Sequence, residues 1–407
     1  MITISPMSPP VLIIGAGLGG ICLAQALRKN NIPFKLFEQD KHHNLRTQGY
    51  RLRITEHGVN ALKESLTPDL FTLFQKTCAT TAGFGVHVKP DGTPIPFGPS
   101  SPPKPPPGTL SGEAYTVDRS TFREALLTGI EEHTFFGKGF ESYELSDDGI
   151  TAYFRDGSAV EGSLLVGADG VHSRVRRQYL PKFPIVDTGM RIVFGKTPIT
   201  DEFLDSVPES YQIGLSLASD PDDKIQPTLL WEAIRFPCTV EKIDLPSPYM
   251  YWVLVFHRSH LPFSDEKGRI ESSQAADLAR KLTKSWMPSV RSLIDFQDES
   301  QSSVRSLLSA EIDIGAWKSS ARVTLLGDAV HVMPPTGAMG ANTALRDAAD
   351  LARRIADVGV EKVGEEVIGE YEDSLRAFAK MAIGLSWKGG MKSFGLRPVE
   401  ECDKIIL

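Results

Sequence analysis

Gly15, Gly17 and Gly20 stand in the order Gly-x-Gly-x-x-Gly, with Ala16 and Leu18 among the residues between them. Alone the pattern is weak, because short glycine motifs recur by chance. Its chemistry comes from its setting. The first glycine permits a tight turn, the second lets backbone approach a pyrophosphate, and the third lets a helix pack closely on a strand. A helix starting there turns unpaired N–H groups and a positive dipole end toward phosphates. Glu38, 18 residues beyond Gly20, stands where an acid would accept hydrogen bonds from an adenosine ribose. Two later turns, Ala168-Asp169-Gly170 and Gly327-Asp328, also place an acid beside a glycine. Other chemistries find less support. The nine histidines form no His-Glu-x-x-His motif, so His331 reads as a structural part of its turn and no metal is expected. No Gly-x-Ser-x-Gly elbow supports a serine hydrolase.

These residues need elements to hold them. Val11-Leu12-Ile13-Ile14 is a short apolar run suited to a parallel strand buried on both faces. A helix pattern follows the glycines to about Asn30, with Leu23, Ala26 and Leu27 on one face. Phe34 to Glu38 reads as a second strand, which completes a βαβ unit. Asp118 to Leu127 reads as a helix, and Arg155-Asp156-Gly157-Ser158 as the turn of a hairpin. Leu164-Leu165-Val166 and Arg322 to Leu326 are further buried strands, each running into one of the acidic turns. A long helix is expected from about Thr343, the last of the chain, with Gly340, Ala341 and Asn342 at its start. Between 182 and 315, strand-like segments (Ile192 to Gly195, Leu229 to Phe236, Tyr249 to Phe256) alternate with proline-rich turns, which suggests a separate sheet domain. Pro94 to Pro107 holds eight prolines in fourteen residues and reads as a surface loop.

Composition bounds the answer. A chain of 407 residues favours two domains. A net charge of -7 argues against a nucleic-acid binder, which needs a basic surface. Cys22, Cys78, Cys238 and Cys402 are scattered with no Cys-x-x-Cys pair, so zinc and a disulfide framework both lose support and a reducing compartment is expected. No apolar run reaches 18 residues, and the first ten residues lack a leader pattern. The expectation is a soluble cytoplasmic protein without membrane insertion. Its oligomeric state is not legible.

Taken together, the motifs resemble those of the single-component FAD-dependent monooxygenases, the group of p-hydroxybenzoate and salicylate hydroxylases. The resemblance rests on Gly15 to Gly20 with Glu38, Asp118-Arg119 with Phe122-Arg123, Gly167 to Arg176, and Gly327-Asp328-Ala329-Val330-His331. Pro334 to Asn342, followed by Asp347-Ala348, completes the set in the family's order. The interval 182–315 matches only loosely. A Trp-x-Trp-x-Ile-Pro run of the flavin halogenases is absent from Trp231 to Phe236.

The resemblance implies an α/β fold: a Rossmann-like, doubly wound FAD-binding domain (1–75, 113–181 and 316–385) with a smaller mixed β-sheet substrate domain (76–112 and 182–315). Residues 386–407 are expected to form a C-terminal tail. It implies FAD as cofactor and NAD(P)H as co-substrate, without a second dinucleotide fold. Gly15, Ala16, Gly17, Leu18, Gly20 and Glu38 would hold the adenosine and pyrophosphate, with Arg119 on the pyrophosphate side. Asp328, with Gly327, would bind a ribitol hydroxyl. Gly49 and Arg51 lie where the family runs a segment along the flavin. Asp169 and Arg176 belong to a motif tied to both FAD and NAD(P)H, or else form a structural ion pair. Pro335, Gly340, Ala341 and Asn342 would place backbone N–H groups at the flavin ring. Where the family has Gly-Gln-Gly, this chain has Ala338-Met339-Gly340, and alanine fits most geometries at a helix start. Arg191 and Tyr211, in the presumed substrate sheet, are the candidates for substrate-side roles. The implied reaction inserts one oxygen atom from O2 into an aromatic or polycyclic small molecule of secondary metabolism. Epoxidation, a redox-neutral rearrangement and a flavin-free binding protein are the alternatives.

Overall fold

The four apolar residues of Val11–Ile14 are all buried, and a strand covered on both faces needs parallel neighbours. In the computed structural model, which describes residues 9–42, 50–80, 83–96, 113–147, 149–223, 226–261 and 270–407, it has them. Phe34–Phe37 pairs with one edge and Leu164–Gly167 with the other, both parallel. Val323–Leu325 and Thr134–Phe135 extend the sheet to five parallel strands. The helix Leu18–Lys29 closes the βαβ unit, with Arg28 and Lys29 in its last turn against the negative dipole end. It packs against Met339–Val358 at Gly19, where a Cβ would lie 2.7 Å from Leu326 and 3.3 Å from Ala344. The expected Asp-Gly hairpin joins Ile150–Phe154 to Ala159–Gly162, and Phe154 brings its ring to 4.6 Å from that of Phe37.

The interval 182–315 supplies most of a seven-stranded mixed sheet. Its order is Ser303–Ser309, Ile185–Pro198, Tyr249–His257, Thr228–Ile234, Leu215–Ala218 and Phe84–Val88, with Asp403–Ile405 paired to the start of Ile185–Pro198. One face, carrying Val193, Trp231, Trp252, Leu254 and Phe256, is covered by the helices Ser272–Leu282 and Pro288–Asp295. The other face, carrying Met190, Ile192, Tyr249, Tyr251, Val253 and Ile234, looks toward the rest of the molecule.

Four expectations are corrected. The strand seen as Ile192 to Gly195 is fourteen residues, Ile185–Pro198; Asp187-Thr188-Gly189 masks it, because a bulge there breaks the alternation and Gly189 sits at φ +76°. The long helix begins at Met339, four residues before Thr343. It is not the last: Glu365–Phe394 follows, with thirty residues. Residues 386–407 are no separate tail, since that helix runs through Trp387 to Phe394 and Asp403–Ile405 joins the large sheet. Most of Pro94 to Pro107 lies outside the described residues; Ile95 N donates to His87 O at 2.8 Å. No helix among the described residues is long and apolar enough to cross a membrane.

Candidate active site

Four parallel strands end at one edge of the five-stranded sheet, and each delivers expected residues there. Val11–Ile14 runs into Gly15–Gly20, Phe34–Phe37 into Glu38, Leu164–Gly167 into Asp169, and Val323–Leu325 into Gly327-Asp328. Backbone bonds lock the strand ends together: Gly15 N donates to Phe37 O at 2.7 Å, Ala168 N to Ile14 O at 2.7 Å, and Leu326 N to Gly167 O at 3.0 Å. Ligands of open α/β sheets bind outside such carboxyl ends.

The three glycines differ in what they do. Gly15 has φ +107°, and a Cβ there would lie 2.4 Å from Ala168 O; at Gly20 it would lie 2.0 Å from Gly15 O. At Gly17 a Cβ meets nothing within 4 Å among the described residues. Gly15 and Gly20 are therefore demanded by packing, whereas Gly17 leaves open space in front of the helix. The N-terminus of Leu18–Lys29 has no side-chain cap and no acid in its first turn, so its N–H groups remain available to an anion. Glu38 braces the loop. Its Oε2 accepts from Ala16 N at 3.0 Å and its Oε1 from Asp40 N at 3.0 Å. Arg123 Nε donates to Ala16 O at 2.7 Å, with its guanidinium 3.6 Å from Glu38.

Asp328 begins the short helix Asp328–His331 with its carboxyl open to solvent. Burial of its surroundings pushes its pKa up, against the pull of His331 and Arg119. Arg119 lies with its guanidinium 5.4 Å from the Tyr50 ring, and its backbone N donates to Tyr50 O at 3.0 Å. Asp169 and Arg176 turn inward to backbone groups instead of pairing through hydrogen bonds with each other. Asp169 accepts from the Ser173 hydroxyl and from Arg174 N at 2.7 Å. Arg176, 1% exposed, donates to Ala329 O and Val171 O, each at 2.8 Å. It thereby fastens the turn after Leu164–Gly167 to the helix that carries Asp328.

The start of Met339–Val358 faces the same edge. Gly340 and Ala341 are half-buried and Pro335 is exposed. Asn342 is buried and staples its helix to the strand Arg51–Ile54: Oδ1 accepts from Thr55 N at 2.9 Å, and Nδ2 donates to Arg53 O at 2.9 Å. Ala338, the N-cap, takes φ +56° in the left-handed region, so alanine does not fit freely where the family has glycine. His331 is buried and bonded to Asp347, whose carboxylate also accepts from Gly327 N at 3.2 Å. Gly49 lies outside the described residues.

Both substrate-side candidates fall elsewhere. Arg191 points to the side of Ile185–Pro198 opposite Met190 and Ile192, and both its terminal nitrogens are taken by Asp187, at 2.9 and 3.0 Å. Tyr211 packs on the helix-covered face, with its ring 5.2 Å from that of Trp231. The face toward the parallel sheet carries a different set. Lys196, Tyr251 and Glu232 lie opposite one another on three neighbouring strands. Lys196 Nζ donates to Asp118 Oδ2 at 2.8 Å, and the Tyr249 hydroxyl donates to the same oxygen at 2.7 Å. Burial works to raise the Asp118 pKa, but Lys196 and these donors hold it below the usual carboxylate range. Arg51, expected along the flavin, pairs with Glu232 at 2.6 Å. The signal in the sequence was a lone acid, Glu232, inside the apolar strand Thr228–Ile234.

The family model described as a NAD(P)-binding Rossmann-like domain matches residues 13–77, and the one described as an FAD binding domain matches residues 260–386. The dual O-methyltransferase/FAD-dependent monooxygenase elcB of Phaeosphaeria nodorum is 38% identical over 97% of this chain and 47% of its own length. The chain thus spans about half the length of the first curated relatives it matches. The FAD-dependent monooxygenase thnD of Trichoderma harzianum is 27% identical over 97% of both chains. A solved Photorhabdus luminescens structure, classed as an FAD containing monooxygenase, superposes with a TM-score of 0.78 at 29% identity, covering 95% of this chain and 99% of that one. The chain is thus similar, over nearly its whole length, to FAD-dependent monooxygenases, and it carries matches to a Rossmann-like and an FAD binding domain.

Proposed function

We propose that the chain is a cytoplasmic flavin monooxygenase that uses NAD(P)H and O2 to insert one oxygen atom into an aromatic or polycyclic molecule of secondary metabolism. The observation that carries this reading is the meeting of two surfaces. The strand Arg51–Ile54 joins them: Asn342, at the start of the helix beside the glycine edge, bonds Thr55 N and Arg53 O, and Arg51 pairs with Glu232 on the apolar and aromatic sheet face.

The residues fit FAD. The space in front of Gly17 would admit the pyrophosphate, which the helix N-terminus and Arg119 would neutralise. Glu38 would meet the adenosine ribose, Asp328 the ribitol, and the backbone of Gly340, Ala341 and Asn342 the ring. Asp169 and Arg176 support the same edge from behind. Bound there, FAD supplies the redox and oxygen chemistry, with NAD(P)H as electron donor. The chain's own part is to hold substrate on the large sheet and to keep water away. Tyr50 stacks on Phe194, with ring centroids 4.8 Å apart, and Ile192, Val253 and Leu230 continue the apolar wall. Such a wall, apolar and aromatic with few polar anchors, suits a fused-ring phenol. The dual name of elcB pairs oxygenation with O-methylation, and a methyl-accepting hydroxyl fits a phenolic substrate.

The test is turnover of the FAD-loaded protein with isotopically labelled O2, offering bicyclic phenols beside salicylate and p-hydroxybenzoate. Bicyclic products carrying one labelled atom, formed with coupled NAD(P)H oxidation, are expected. Efficient turnover of the simple benzoates alone would overturn the substrate class, and products without labelled oxygen would overturn the reaction.

A further inference from the structure

Glu232 is an expensive residue where it stands. It is 1% exposed, in the middle of the apolar strand Thr228–Ile234, with Leu230 and Ile234 on either side of it along the same face. A buried carboxylate is tolerated when paired and fully hydrogen-bonded. Glu232 has only half of that. Arg51 Nε lies 2.6 Å from its Oε2, and Arg53 lies 4.0 Å from its Oε1. Neither carboxylate oxygen receives a hydrogen bond of usable geometry among the described residues. Arg51 is in the complementary condition: Glu232 fixes its Nε side, 14% of its side chain is exposed, and its terminal nitrogens meet no acceptor among the described residues. The pair sits between the strand stapled to Asn342 and the sheet face bearing Tyr251.

We infer that Glu232 and Arg51 form the polar recognition pair of the substrate site, reading a phenolic hydroxyl group. One such group completes both partners: its O–H donates to the Glu232 carboxylate, and its oxygen accepts from an Arg51 terminal N–H. The surrounding Tyr50, Phe194, Leu230 and Val253 are apolar neighbours for the ring that carries the hydroxyl. A site built to hydrogen-bond a hydroxyl rejects an analogue lacking it, because its own buried groups are then left unpaired. The inference rests on the monooxygenase reading but makes a separate claim about binding.

The test compares 2-naphthol with 2-methoxynaphthalene, which keeps the rings and blocks the donor. Binding to the FAD-loaded protein is measured by calorimetry in the wild type, in Glu232→Gln and in the double variant Arg51→Met/Glu232→Leu. The double variant replaces both charges of the pair with apolar groups, an exchange that buried ion pairs tolerate, so it keeps the fold. The wild type should prefer the naphthol by roughly 10- to 100-fold. Glu232→Gln should lose most of that preference and the double variant all of it, compared at equal flavin occupancy. A pair that merely ties the two sheets together would alter stability without moving the ratio. Equal binding of both probes by the wild type, or full preference retained in both variants, would overturn the inference. Naphthol preference lost in the variants, beside a wild type that adds no oxygen to any phenol, would instead uphold the pair and defeat the monooxygenase reading.

Discussion

At the scale of single residues, the glycine motif separates into positions that serve the fold and one that serves a ligand. Gly15 and Gly20 abut backbone that cannot retreat, whereas Gly17, the helix N-cap at φ -75°, has nothing in front of it. Gly17→Ala should therefore cost the apoprotein less than about 1 kcal/mol while sharply lowering FAD content, since the new methyl fills the phosphate space. Gly15→Ala should cost more than about 2 kcal/mol, through strain at positive φ and a clash with Ala168. Urea unfolding of the apoproteins and flavin absorbance after reconstitution check both. Equal damage from the two variants would show that the open space is not a ligand cradle. The same scale separates Arg119, beside open space with Asp328, from Arg176, whose guanidinium is spent on Ala329 and Val171.

Among elements, the helix Met339–Val358 does the most positioning. Its first residues present backbone toward the site, Asn342 ties it to Arg51–Ile54, and Leu345, Ala348, Ala349 and Ala352 pack into the main core. It begins at a strained residue. Ala338 in the left-handed region carries a penalty that glycine lacks, so Ala338→Gly should raise unfolding stability by about 0.5–1 kcal/mol. A denaturation midpoint at or below that of the wild type would contradict the strain. The large sheet offers the complementary lesson. Its alternation sends Met190 and Ile192 to one face and Arg191 to the other. A one-residue difference in register thus separates a wall of the site from a structural arginine.

At the scale of the whole molecule, the two sheets are held by long-range ties. Lys196 of the large sheet reaches Asp118, which also caps the helix Arg119–Leu127. The helix Glu365–Phe394 runs from the main core at Ile368 and Tyr371 to the large sheet at Trp387 and Phe394. Within the parallel-sheet half, the contact between His331 and Asp347 is sensitive to pH. Burial disfavours the charged form of His331, but Asp347 outweighs it and the pKa is raised above the ordinary 6.5. A group whose folded pKa is raised stabilises fully below its unfolded pKa and loses that contribution as pH rises through the folded value. The stability difference between wild type and His331→Asn should therefore be largest below pH about 6.5 and shrink toward alkaline pH. A difference that stays constant or grows between pH 6 and 9 would reverse the assignment.

What the sequence by itself determined was local and repetitive: the βαβ unit, the Asp-Gly hairpin, the acidic turns after buried strands, and through their order the family resemblance. Each depends on neighbours within a few residues or on a short motif, so it is written contiguously. The structure alone decided what depends on distant partners. Arg191 shares a sheet with the site yet faces away from it, because side chains alternate and a bulge at Gly189 shifts the count, while Tyr211 lies in the turn Glu209–Gln212 and packs on the other face against Trp231. Glu232 and Arg51 are 181 positions apart and meet only when the strand Arg51–Ile54 lies across the large sheet. The C-terminal segment reads as a tail because its partners, Val186 and Asp187, lie some two hundred residues earlier. Pairing between such distant segments is selected by the burial of the whole chain, and no local pattern encodes it.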